Sequence, residues 1–225
     1  KVTHKILGLI SRKFGFELKF KEMPFGGSAI DSVGIPFPDR TLQECKNSDA
    51  VLLAAIGDPK YDELPREKRP ETGLLNLRSS LDLFANIRPV KIIPSLTKAS
   101  SLKEEFVKEV DLVVVRELTS GIYFGEPKGR IKTEKGERAF NTMTYTSEEV
   151  NRIAEIAFKL AQQRNRKVCS VDKANVLDVS QLWREETILV SNNYKDIELT
   201  HQYVDNAAMQ LVRNPSQFDV ILTSN

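Results

Sequence analysis

The sequence is short of the features that would tie it to a disulfide scaffold, a zinc module or a membrane. It holds two cysteines in 225 residues, Cys45 and Cys169, far apart and in no metal-ligand spacing. So few cysteines in so long a chain suit a reducing compartment. The two histidines, His4 and His201, form no zinc pattern. No apolar run approaches the roughly 20 residues of a membrane span, and no signal-peptide pattern opens the chain. An excess of charge of one sign is also missing. The 33 Lys+Arg and 31 Asp+Glu leave +2, with the signs interspersed, whereas a nucleic-acid surface needs clustered basic residues. The expectation is a soluble cytoplasmic protein with no nucleic-acid and no membrane partner. There is no internal repeat, no low-complexity tract and no Ser/His/Asp arrangement.

What is present is an alternation of β-branched runs with helical patterns, long enough to bury a sizeable core. The segments AVLLAAIG (50–57), DLVVVREL (111–118), KVCSVDKANVL (167–177) and FDVILTSN (218–225) read as buried strands, too apolar for sheets covered on one side. The clearest helix is TSEEVNRIAEIAFKLAQQRNRK. Thr146 and Glu149 have the spacing of a capping box. Val150, Ile153, Ala154, Ala157, Leu160 and Ala161 then form an apolar stripe that reads as core. A helical pattern also runs through Val2, Ile6, Leu9 and Ile10. The class is α/β. Two segments break the rhythm: 24–41, a turn-rich loop leading to a short helix, and 125–146, long, polar and poorly periodic. A segment like the second is functional, disordered or an interaction arm.

Four stretches place polar side chains where the pattern calls for apolar ones. RELTSGIYFGEP (116–127) sets Arg116 and Tyr123 at the mouth of a buried strand. In 69–91, Arg78 and Arg88 flank a leucine-rich helical segment, with Arg88 just before the helix-breaking Pro89. Asp172, Lys173 and Asn175 interrupt 170–177, and Asp205 sits inside the apolar 201–212. Singly, each has an ordinary reading: a solvated helix face for Arg78, a snorkelling chain for Lys173, a helix cap for Asp205. Together they make one chemical inventory. Three arginines suit a small di- or trianionic acid, because each fork grips a carboxylate with two bonds. Asp205 suits a hard divalent cation. Lys173 and Tyr123 suit proton transfer.

These stretches resemble a known family. PFGGSAID, LLAAIGDPKYD, RPETGLLNLR, LFANIRPVK, VVVRELTSGIYFGEP, SVDKANVL, LWRE and THQYVDNAAM occur in the order seen in the 3-isopropylmalate dehydrogenases, over essentially the whole chain. These belong to the β-decarboxylating dehydrogenases, with isocitrate, tartrate and homoisocitrate relatives. The resemblance implies a two-lobed fold with a mixed sheet flanked by helices, not the GxGxxG Rossmann type. It implies NAD-dependent oxidation and decarboxylation of (2R,3S)-3-isopropylmalate to 2-oxoisocaproate in leucine biosynthesis.

The resemblance also implies roles, motif by motif. Arg78, Arg88 and Arg116 become the clamp on the substrate carboxylates. Tyr123 becomes the acid that protonates the enolate, and Lys173 the group that takes the C2-hydroxyl proton. Asp205 becomes a ligand of Mg²⁺ or Mn²⁺ close to the substrate. Asp58, Pro59, Glu71 and Asn175 fall on the NAD side. Leu74 and Leu75, with Val176 opposite, stand where isocitrate enzymes carry small polar residues, and so suit a branched alkyl group. Such a pocket discriminates by only about 1–3 kcal/mol per methylene, which leaves related alkylmalates open. Residues 1–88 would belong to the cofactor-side lobe, and 89–225 to a lobe carrying a dimer arm near 125–146. That arm implies a homodimer with shared active sites. The family's glycine-rich first strand-turn, its further metal-binding aspartates and its adenosine loop are not in this sequence, so both ends read as cut. Two alternatives stay open: a non-catalytic fragment or dimerisation module of the same fold, and a related alkylmalate- or isocitrate-type dehydrogenase.

Overall fold

The computed structural model describes residues 2–225, which fall into two units, one ending at Ser80 and one running from Leu81 to Asn225. The first is helical: α1 (Val2–Phe14), α2 (Gly27–Val33), α3 (Asp39–Lys46) and α4 (Pro70–Ser80). Pro70 opens α4, where its missing N–H costs nothing. Helix α2 lies inside 24–41, a segment whose turn residues suggest a loop leading to a short helix, and α3 is a short helix at its end. The run 50–57, expected as a buried strand, has no regular structure. Val51, Leu52 and Leu53 are 42%, 62% and 40% exposed. A strand needs a neighbour to complete its ladder, and among the described residues this unit has no other strand. Instead the run is tethered at one point, where the Gly27 N–H donates to the Ile56 carbonyl at 2.8 Å. Gly26 beside it has φ +60, and a Cβ there would stand 2.5 Å from that same oxygen, so only glycine fits. The stripe of α1 is where the periodicity placed it, but Val2, Ile6, Leu9 and Ile10 are all exposed.

The second unit carries a five-stranded sheet in the order β1 (Ala85–Lys91), β2 (Asp111–Glu117), β7 (Val220–Thr223), β5 (Lys167–Asp172), β6 (Glu198–Tyr203). Strand β1 is antiparallel to β2 and the other pairs are parallel, so the sheet is mixed. Arg88 lies on β1, not at the end of a helix. Pro89 is tolerated because β1 is an edge strand, with no neighbour on its outer side. Strand β5 stops at Asp172, which still pairs with Tyr203, rather than running to 177, and just beyond it the Ala174 N–H donates to the Asp172 side chain. Helices α5 (Glu104–Val107), α6 (Ser147–Gln162), α7 (Asp178–Ser191) and α8 (Val204–Arg213) complete the unit.

Successive strand residues point to opposite faces. One face presents Val113, Val115, Val168, Val220 and Leu222 to α6 and α7. There Phe158, Ile153 and Trp183 close the larger core. The other presents Leu112, Cys169, Val171 and Ile221 to Ala207 of α8. Helix α6 starts where its capping box predicts: Thr146 Oγ1 accepts from the Glu149 N–H, and the Glu149 carboxylate accepts from the Thr146 N–H. The buried Asp219 ties the end of α6 to the sheet by accepting from Arg164 Nε at 2.9 Å and from the Asn165 N–H at 3.0 Å. The polar segment 125–146 contains an exposed hairpin, β3 (Gly129–Thr133) and β4 (Gly136–Phe140), which forms a sheet of its own. Among the described residues no helix is long and apolar enough to cross a membrane.

Candidate active site

The parallel strands β2, β7, β5 and β6 end along one edge, and in open α/β sheets that carboxyl edge is where ligands bind. The register sets out what gathers there. Asn86, Arg116, Thr223, Val171 and Gln202 form one row across the sheet. Arg88 is in the next row of that face, with Val114 and Ile221. This is the face on which α8 packs. Two strand spacings separate Arg116 from Val171, about 10 Å between Cα atoms. Lys173 follows β5 two residues beyond Val171, and Asp205 sits in the first turn of α8 immediately after β6.

Two pairs of the sequence-derived residues meet. The Lys173 ammonium donates to Asp205 Oδ1 at 2.5 Å. That hydrogen bond, with one from the Asp205 N–H, holds the Asp205 carboxyl below the usual carboxylate range. The Arg116 guanidinium lies 5.9 Å from the centroid of the Tyr123 ring, which is carried by the short turn Gly121–Tyr123 after β2. Arg88, exposed, donates from Nε to Asn86 Oδ1 at 2.6 Å. Asn175 and Val176 lie in the loop between β5 and α7, with Val176 66% exposed.

The remaining candidates belong to the first unit. Arg78 is half-buried near the end of α4, as are Leu74 and Leu75. The buried leucine of that helix is Leu77. Asp58 caps the turn that starts at Pro59 by accepting from the Lys60 N–H at 3.1 Å, and Glu71 lies in the first turn of α4. For a divalent ion the donor set falls short. Among the described residues no three His, Cys, Asp or Glu side chains gather, whereas a hard cation takes about six oxygens. Asp205 offers one carboxylate.

Several residues that fasten this edge were given no role from the sequence, Asp172 among them although it interrupts an apolar run. Asp172 is buried and accepts two bonds from Arg184, at 2.9 and 2.8 Å, and one from the Ala174 N–H at 3.0 Å. It therefore fixes the backbone on both sides of Lys173. The Tyr203 ring lies 5.2 Å from the Arg184 guanidinium and 5.9 Å from the Lys173 ammonium. Glu117 is fully buried, and its carboxylate accepts from the Thr119 and Ser120 N–H groups and from Arg152. It shapes the turn that presents Tyr123.

His201 packs nearby, its Nδ1 buried without a hydrogen-bond partner and 4.0 Å from Asp172 Oδ2. Burial, assisted by the Arg184 cation and opposed by Asp172, pushes its pKa down. Below the unfolded value of about 6.5 the unfolded chain therefore binds the proton more readily. Stability from this residue is complete above that pH and is lost as pH falls toward the folded value. His201→Asn is expected to flatten the stability decline between about pH 6.5 and 5, read from urea midpoints. A decline as steep as the parent's would count against it.

The isocitrate/isopropylmalate dehydrogenase family model matches residues 1–225. The chain belongs to that family. It is 96% identical over 224 residues to the 3-isopropylmalate dehydrogenase of Prochlorococcus marinus (strain NATL2A), covering 100% of this chain and 62% of that protein. It is 63% identical over 224 residues to the same-named protein of Synechococcus sp. (strain CC9605), covering 100% of this chain and 63% of that protein. Among solved structures, isocitrate dehydrogenase from Methylococcus capsulatus superposes with a TM-score of 0.74 at 29% identity, covering 96% of this chain and 60% of that one. The TT0538 protein from Thermus thermophilus gives 0.76 at 27% identity, over 96% and 41%. The chain therefore spans less than two thirds of the length of these relatives. Its mixed sheet flanked by helices is consistent with that family's fold.

Proposed function

We propose that the protein containing this chain oxidises and decarboxylates (2R,3S)-3-isopropylmalate in leucine biosynthesis, with NAD as hydride acceptor. The observation that carries the reading is the pairing of Arg116 with Tyr123 and of Lys173 with Asp205 along one carboxyl edge, in a chain 96% identical to a 3-isopropylmalate dehydrogenase. NAD and a bound Mg²⁺ or Mn²⁺ would supply the hydride acceptor and a Lewis acid. Of the residues described here only Asp205 offers itself to the ion, so no step is routed through it. By the resemblance of their motifs, Asp58, Pro59, Glu71 and Asn175 would be the residues that hold NAD.

The chain's own groups account for binding and proton movement. Arg88 and Arg116, joined through their motifs by Arg78, grip the two substrate carboxylates with forked hydrogen bonds. Leu74, Leu75 and Val176 take the isopropyl group. Lys173, entering the step as the neutral amine after passing a proton to solvent, accepts the C2-hydroxyl proton as C2 gives up its hydride and becomes a ketone. The bond from C3 to its carboxylate then breaks, carbon dioxide leaves, and the electron pair remains as an enolate. Tyr123 returns a proton to carbon.

The reading extends to a cytoplasmic homodimer in which the hairpin β3–β4 pairs two subunits and Lys173 and Asp205 serve the partner's arginines. A mixing experiment on the full-length enzyme tests this. Lys173→Ala and Arg88→Ala should each be inactive alone. After co-expression, about half the dimers are mixed, each with one intact site, so activity should return to about a quarter of wild type. Demonstrated heterodimers without any recovered activity would mean that Lys173 works within its own chain. Absence of isopropylmalate turnover in the unmutated full-length protein would favour a non-catalytic module instead.

A further inference from the structure

Arg116 and Asn225 stand 109 residues apart in the sequence and meet because β2 and β7 are neighbours with Arg116 opposite Thr223. Asn225, two residues past Thr223, makes three hydrogen bonds. Its side-chain Oδ1 accepts from Arg116 Nη2 at 2.6 Å, and its Nδ2 donates to the Ser120 carbonyl at 2.7 Å. Its backbone N–H donates to Tyr145 Oη at 2.8 Å. The chemistry allows only one orientation of the amide. A guanidinium can only donate and a carbonyl can only accept, so Oδ1 must face the arginine and Nδ2 the carbonyl.

Each contact of Asn225 is with something rigid or something functional. Tyr145 is buried in the larger core and packs edge-on against Trp183, with centroids 5.2 Å apart. Gly121, which opens the turn carrying Tyr123, is pressed against the same pair. Its φ is +76, and a Cβ there would lie 2.6 Å from Tyr145 Oη and 3.2 Å from Asn225 Cβ. A free arginine stem samples many rotamers. Here, among the described residues, a neutral amide oxygen accepts from it and no carboxylate pairs with it, so its positive charge is left for an incoming anion.

We infer that Asn225 is a positioning residue that aims Arg116 at a substrate carboxylate, and that it is an amide rather than an acid so that the arginine keeps its charge for the substrate. The inference rests on the proposed reading of Arg116 as part of the carboxylate clamp. It is tested on the full-length enzyme with isopropylmalate, by measuring KM and kcat for Arg116→Ala, Asn225→Ala, Asn225→Asp and the two double variants. Asn225→Ala should raise KM about tenfold, the scale of one hydrogen bond to a charged group, while kcat changes far less. Asn225→Asp should raise KM at least as much, because its carboxylate would occupy the guanidinium. In the Arg116→Ala background both changes should add less than about twofold, since coupled residues are not additive.

A purely structural residue would instead lower the melting temperature and multiply KM by the same factor in both backgrounds, which would overturn the inference. So would an unchanged KM in the Asn225 variants beside a raised KM in Arg116→Ala. If Asn225→Ala does not fold, the near-isosteric Asn225→Asp carries the same comparison. An unchanged KM in Arg116→Ala itself would bring down the clamp reading and the inference with it, a result distinct from failure of the inference alone.

Discussion

Lys173→Ala in the full-length enzyme is expected to lower kcat about 10²- to 10⁴-fold, the range set by removing a positioned proton-transfer group. KM for isopropylmalate should move much less, because in the proposed reading the carboxylates are gripped by arginines rather than by this lysine. The structure adds a second, independent signature. The Asp205 carboxyl is held low chiefly by the hydrogen bond from Lys173. Without that partner its titration should move back up toward the ordinary carboxylate value, observable by NMR of an Asp-labelled sample. A kcat within about threefold of wild type would remove Lys173 from the proton path. An unmoved Asp205 titration would mean the 2.5 Å pair does not persist in solution.

The other large effect concerns stability. Phe158 is fully buried in the middle of α6 and stacks on Tyr194 with centroids 5.1 Å apart. Phe158→Ala should cost about 3–5 kcal/mol, the transfer of the ring plus the cavity left among residues that cannot collapse onto it. At about 2–4 °C per kcal/mol for a protein of this size, the melting temperature should fall by roughly 6–20 °C. Tyr194, whose hydroxyl is pushed up to about 12 by burial and by its bond to Glu155, would become more accessible. A loss below about 1 kcal/mol would show that α6 is not the wall of the core described here.

Both effects trace to features of different legibility. The stripe Val150 to Ala161 and the Thr146–Glu149 cap could be read directly, because helical periodicity and capping are local and depend on residues three or four apart. The arginines, Tyr123, Lys173 and Asp205 could be picked out as polar residues in apolar surroundings, and their motifs supplied the family. Other features were hidden. Leu52 and Leu53 look like strand residues, yet the run has no neighbour to pair with. Arg88 looks like a helix end before a proline, yet Pro89 rests on an edge strand. The hairpin in 125–146 has too little alternation of polar and apolar residues to announce itself.

The sequence by itself determined the α/β class, the best helix with its buried stripe, three of the sheet's strands, and which charged residues interrupt the apolar runs. Only the tertiary structure decided which of them meet. Strand β7 lies between β2 and β5 although it comes last in the chain, and that order brings Asn225 against Arg116 and sets Val171 of β5, which leads to Lys173, two strand spacings away. Nothing local encodes that order. It arises from how α6, α7 and α8 cover the two faces of the sheet, and burial on both faces is a property of the assembled layers rather than of any single stretch.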